Sequence, residues 1–234
     1  MNTSQNKIEL GDICLNIVHK NIKNLHLSVH PPYGRVTISA PREMNTDTIR
    51  LFSISKLRWI RKQQTKLIKQ KREAPREYIN RESHYYLGKR YLLKIIEQPT
   101  RSKAILNNSF IELYTRPKAS KKQKETLLQA WYRKQLKELV APQIKKFEKK
   151  MNVEVSQVCI RTMKTKWGTC NSKAKRIWLN TELAKKPIES IKYVLIHEMV
   201  HLLERKHNDR FISYMDTFLP KWRHFRTELN RSAL

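Results

Sequence analysis

The chain has 234 residues, 49 of them Lys or Arg against 20 Asp or Glu, for a formal net charge of +29. That length suits one large or two small domains, and 39% hydrophobic residues supply enough apolar side chain for a core, which excludes a disordered polyelectrolyte. No run approaches the ~20 apolar residues of a membrane-spanning helix, and residues 1–20 do not read as a signal peptide, which speaks against a membrane protein.

Cys14, Cys159 and Cys170 show no framework spacing and no C-x-x-C, so they read as reduced thiols of a cytoplasmic protein. The excess positive charge has two readings. One is a polyanionic partner such as nucleic acid or nucleotide phosphates; the other is a set of solvated basic faces.

Residues 7–41 read as strands. Leu25, Leu27 and Val29 alternate with His26, Ser28 and His30, then Pro31-Pro32-Tyr33-Gly34 turns the chain. Val36, Ile38 and Ala40 alternate again up to Pro41, which makes a half-buried antiparallel hairpin. Residues 46–72 read as one long helix, capped by Thr46 or Asp47, with Ile49, Phe52, Leu57, Ile60 and Leu67 as its apolar positions. Eight basic residues and no acidic one fall between Lys56 and Arg72. With Trp59 among them they can track a phosphate backbone, through Arg61, Lys62, Lys66 and Lys69; the alternative is a helix whose outer face is merely basic.

After a polar linker at 75–81 come two short hairpins, one turning at Leu87-Gly88 and one at Asn107-Asn108. A helix is expected from about Lys121 to Lys149, with Leu128, Trp131, Leu136, Leu139, Ile144 and Phe147 on one stripe and Pro142 as a kink. Strands at 157–163 and 175–180 flank Lys166-Trp167-Gly168-Thr169-Cys170-Asn171. Gly168 is one of only four glycines, which suggests a turn or a close approach.

The stretch Tyr193 to Phe211 carries the chemistry. His197, Glu198 and His201 spell H-E-x-x-H on an apolar helix opened by Pro187. At about 100° per residue, His197 and His201 lie about 40° apart and one turn along, so both imidazoles can reach one ion. Glu198 sits where a carboxylate can take a proton from water on that ion. His207 would point about 240° away if the helix continued, so the chain must leave the helix after Leu202 to bring it back. Asn208 and Asp209 then cap a new helix. Three protein ligands with an open fourth position are the plan of a catalytic zinc site, one ion per chain, although three imidazoles suit other divalent metals. Glu204 competes as third ligand because it shares the helix face, but it lies about 4.5 Å further along the axis than His201.

Residues 160–211 resemble the YgjP-like family of zincin-type metallohydrolases, related more distantly to the SprT-like proteases. The resemblance is carried by Ile160-Arg161, Lys166-Trp167-Gly168-Thr169-Cys170, Ile177, Leu179-Asn180, Tyr193-Val194, the three histidines, Glu198 and Phe211. Looser agreement extends through Val36 to Pro41, Trp59-Ile60 and Leu87-Gly88 with Tyr91. The resemblance implies an α+β fold, a zincin-like catalytic part at 119–234, a β-rich part with one long basic helix at 1–118, three histidine ligands and a glutamate base. Metzincins carry a glycine midway between the second and third histidines; here that position is Glu204.

Three functions compete. The first is a zinc-dependent metallopeptidase, with Glu198 activating water and extended peptide pairing with the strand before the helix. The second is a metal-dependent nucleotide phosphoanhydride hydrolase on the same site, with phosphates held by basic residues such as Arg161, Lys164 and Lys166. The third is a metal-stabilised nucleic-acid-binding module, against which an intact Glu198 argues. Arg161, Lys166, Trp167 and Gly168 are the candidate substrate wall.

Overall fold

The computed structural model describes residues 5–30, 33–69 and 76–231, with the side chains of 5, 6, 66 and 69 left aside. The fold is α+β, as expected. The chain forms two compact units, residues 1–72 and 73–234. The sequence reading places its boundary at 118/119; the contacts divide the chain at 72/73, because the strands of 83–115 share a core with the following helix.

In the first unit, β1 (Gln5–Leu10), β2 (Ile13–Lys20), β3 (His26–His30) and β4 (Arg35–Pro41) form a sheet of order β1-β2-β4-β3. The expected hairpin is β3 against β4, antiparallel, with Leu27 opposite Ile38; Pro31 and Pro32 of its turn lie outside the described residues. Alternation puts Ile13, Leu15 and Ile17 of β2 and Val36, Ile38 and Ala40 of β4 on the buried face. Ile49 and Ile60 close that core.

The helix read as continuous over 46–72 is two helices, α1 (Thr46–Ser55) and α2 (Leu57–Lys69). They part at Lys56, whose φ of −103° and ψ of 1° leave the helical well. Just before it, Ser53 and Ser55 hydroxyls donate back to the Ile49 and Phe52 carbonyls, a competition with the backbone ladder that bends helices. The cap is Asn45, not Thr46 or Asp47: its side chain accepts from the Thr48 N–H at 2.8 Å.

In the second unit, β5 (Ser83–Tyr86), β6 (Lys89–Glu97), β7 (Lys103–Asn107) and β8 (Phe110–Thr115) form a sheet of order β5-β6-β8-β7. The 31-residue α3 (Lys121–Met151) runs unbroken through Pro142, and its capping box joins Ser120 and Gln123. Leu128, Trp131, Leu136 and Phe147 of its stripe are buried.

Beyond α3 lies a three-stranded sheet made of β9 (Gln157–Arg161), β10 (Gly168–Asn171) and β11 (Arg176–Asn180), in the order β10-β11-β9. Gly168 does not make a turn; it opens β10, an edge strand antiparallel to β11. After a 3-10 turn at Thr181–Lys185 come α4 (Ile188–Val200), α5 (Asp209–Phe218) and α6 (Trp222–Arg231). Among the described residues no helix is long and apolar enough to cross a membrane.

Candidate metal centre and its cleft

Helix α4 is buried on nearly every side: Ile191, Val194, Leu195, Ile196, Met199 and Val200 are each under 5% exposed. A helix so enclosed places its polar residues deliberately, since an unpaired buried charge is costly. The polar side chains at its C-terminal end are His197 and Glu198, with His201 as the C-cap.

The helix ends at Val200 with His201 as its C-cap, two residues before the exit expected after Leu202. The N–H groups of Leu202 and Leu203 donate to the Met199 and Val200 carbonyls, tightening the last turn. None of residues 201–208 has a positive φ, so this exit needs no glycine, which accounts for Glu204 at the midpoint. The Glu204 carboxylate accepts the Lys206 N–H at 3.0 Å and also engages the Asn208 side chain, so it folds the turn rather than facing the histidines. Asn208 then caps α5 by accepting the Phe211 N–H at 3.0 Å.

This exit brings His207 back. Ligand-capable atoms of His197, His201 and His207 all lie within 4.8 Å of one another. The Nε2 atoms of His197 and His207 are 3.1 Å apart. Two nitrogens on one tetrahedral zinc ion, each about 2.05 Å from it, would be roughly 3.3 Å apart, so the donor set fits such an ion. The Nδ1–H of His201 donates to the Glu204 carbonyl at 3.1 Å, which leaves its Nε2 for the cluster. His197 Nδ1 is buried without a partner among the described residues. The Phe211 ring, 2% exposed, touches all three imidazoles at centroid distances of 4.7 to 4.9 Å and packs beneath them.

Electrostatics suit a cation. Burial, reinforced by repulsion from His201 and His207, pushes the His197 pKa from 6.5 down to about 3. Burial also lowers that of His201. Both rings are therefore neutral near pH 7, the form a metal ligand needs. Glu198 is 6% exposed, and burial pushes its carboxyl up from 4.5 to about 8 against the pull of Lys166.

Glu198 and the three histidines face one cleft of about 690 Å³. Its opposite side is β10. A Cβ placed on Gly168 would sit 2.8 Å from both Cγ and Oε1 of Glu198, so glycine is what lets the strand approach the carboxylate. Of the expected wall, Gly168 and Lys166 line the cleft; Trp167 and Arg161 do not. Trp167 packs against the core under Lys186, and Arg161 lies over the Trp178 ring at 5.5 Å. Lys173 and Arg205 line the cleft too and carried no sequence signal, because they are two among 49 cations. On α2, Arg61 pairs with Asp12 at 2.9 Å and Lys62 is exposed; the side chains of Lys66 and Lys69 lie outside the described residues.

An α+β chain with three convergent imidazoles at and beyond a helix end, beside a buried carboxylate, has the build of a metal-dependent hydrolase. The YgjP-like metallopeptidase domain matches residues 23–232, and the chain belongs to that family, whose activity is metal-dependent peptide hydrolysis. No curated protein matches it in sequence. Among solved structures it is similar to the metallopeptidase zymogen jannalysin of Methanocaldococcus jannaschii, at 18% identity over 41% of this chain and 94% of that one, TM-score 0.35. The metallopeptidase zymogen abylysin of Pyrococcus abyssi gives 20% identity over 42% and 99%, TM-score 0.35.

Proposed function

We propose that the chain is a zinc peptidase in which His197, His201 and His207 hold one ion and Glu198 is the general base. The observation that carries this reading is the meeting of those three imidazoles, within 4.8 Å, with a buried Glu198 in one cleft. Bound there, zinc supplies a Lewis acid and lowers the pKa of its water ligand to about 7.

The chain's own residues do the rest. A divalent cation held by the three imidazoles would favour the ionised form of Glu198, whose carboxylate would then take the proton of the attacking water and return it to the leaving amine. Strand β11, directly before the helix, is paired on both edges and cannot take an extended peptide as the sequence suggested. Among the described residues β10 pairs with β11 alone, so its other edge offers backbone groups to such a peptide. Gly168 keeps that edge within contact of Glu198. Free Cys14, Cys159 and Cys170 support a reducing, cytoplasmic setting.

Lys166, Lys173 and Arg205 in the cleft favour one second reading, hydrolysis of nucleotide phosphoanhydrides on the same site. Zinc-loaded protein incubated with casein and, separately, with nucleoside triphosphates separates the two. Cleavage of casein by the parent and not by Glu198→Gln is expected. Hydrolysis of triphosphates alone would replace the peptidase reading.

A further inference from the structure

We propose that Asn180 is the positioning residue of the cleft wall, holding the loop before β10 so that Gly168 lies against the Glu198 carboxylate. The functional half of this rests on the peptidase reading; the structural half does not.

Asn180 ends β11 and is 0% exposed. A buried amide must place two donor hydrogens and its carbonyl oxygen. Oδ1 accepts from the Met163 and Glu182 N–H groups, each at 3.2 Å. Nδ2 donates to the Met163 and Lys166 carbonyls, each at 2.8 Å. The backbone N–H of Asn180 donates to the Trp167 carbonyl at 2.8 Å. All but one of these bonds go to residues 163–167, which lead directly into Gly168.

Asparagine is specific to this task. Aspartate has no donor for the two carbonyls, glutamine is a methylene too long, and leucine would leave buried polar groups unpaired. The loop has little slack at its far end. Gly168 already lies so close to Glu198 that a Cβ could not enter. A loop displaced by a fraction of an ångström either drives β10 into the carboxylate or opens the wall beside it. Asn180 forms no hydrogen bond with the three histidines, so its effect on the chemistry passes through the wall and not through the ligands.

The test uses the full chain loaded with zinc. Asn180→Asp keeps the side-chain shape, removes both N–H donations and sets a carboxylate against two carbonyls. Gly168→Ala leaves the Asn180 bonds in place and crowds Glu198 from the strand side. Both variants are expected to keep the parent's zinc content. Both should lose roughly 10²-fold in kcat/KM on a peptide substrate, mostly in kcat, the scale for a misplaced catalytic geometry. Backbone amide exchange across 163–168 should speed up in Asn180→Asp only.

An Asn180→Asp protein with the parent's kcat/KM, or one losing activity only in step with lost zinc, would overturn the proposal. So would Gly168→Ala with full kcat, even if Asn180→Asp fails to fold. Should the parent cleave no peptide, the peptidase reading falls by itself. Exchange at 163–168 then decides the positioning claim, and unchanged exchange in Asn180→Asp refutes it.

Discussion

The chain builds the same sheet topology twice. Strands β1–β4 and β5–β8 each run antiparallel, parallel, antiparallel across a four-stranded sheet, and each set leads into helices. The first set leads into α1 and the basic α2. The second leads into α3, which shares its core with β9–β11 and α4 and so supports the histidine cleft. The comparison separates two meanings of charge. On α2, Arg61 and Lys62 lie exposed along the helix, and Arg61 meets only the exposed Asp12 among the described residues. In the cleft, polar groups from α4, the turn after it and β10 meet within a few ångströms. Only the second arrangement is built for chemistry.

The largest expected effect breaks the cleft and leaves the first unit alone. His201→Ala should lower zinc affinity by more than ~100-fold, beyond the loss typical for residues that merely support a ligand. Elemental analysis after dialysis checks it, and a variant still holding one ion would show that the cluster is not the binding site. Next comes Phe211→Ala, which removes the ring under all three imidazoles. A loss of about 3–5 kcal/mol of stability is expected from chemical denaturation, with weaker zinc binding alongside.

A smaller effect concerns pH. His84, 3% exposed, has its pKa lowered by burial, an effect only partly offset by Glu82 at 3.0 Å. A depressed histidine stays neutral in the fold while the unfolded chain takes up the proton. Stability from this group is therefore present above about pH 6.5 and is lost as pH falls through its folded value. Replacing His84 with Asn should flatten part of the decline in urea midpoint between about pH 7.5 and about pH 5.5. His197 and His201 contribute with the same sign, so the variant keeps some slope.

The smallest effect belongs to α2. Arg61→Glu with Lys62→Glu should leave zinc content and hydrolysis untouched, and should weaken nucleic-acid binding with a shallower salt dependence. The Arg61–Asp12 pair it breaks is exposed on both sides, so the urea midpoint should scarcely change. An unchanged salt slope would leave α2 as a solvated face.

How much of this could be read in the sequence depends on how local the cause is. Alternation in Leu25–Val29 and Val36–Ala40, and turn residues at Gly34, Gly88 and Asn108, are local signals, and those hairpins form. The spacing of His197, His201 and His207 is local as well, and it implied both the helix exit and the cap at Asn208. The break at Lys56 was hidden because apolar residues continue on both sides of it, and the serine back-bonds favour the break without announcing it. Strand β10 was hidden because Gly168 reads as a turn; its pairing with β11 is a contact between segments. Asn180 was visible as part of a resemblance, but its four side-chain bonds reach back 14 to 17 residues or on to Glu182.

The central claim is that Glu198 is the base of a metal-dependent peptidase. Glu198→Gln tests it most directly, because the amide keeps the size and much of the hydrogen bonding while removing the base. Zinc content and the rate of peptide cleavage are measured on the same preparation. The account predicts unchanged zinc and at least a ~10²-fold loss of rate. A zinc-loaded Gln variant that cleaves as fast as the parent would contradict it.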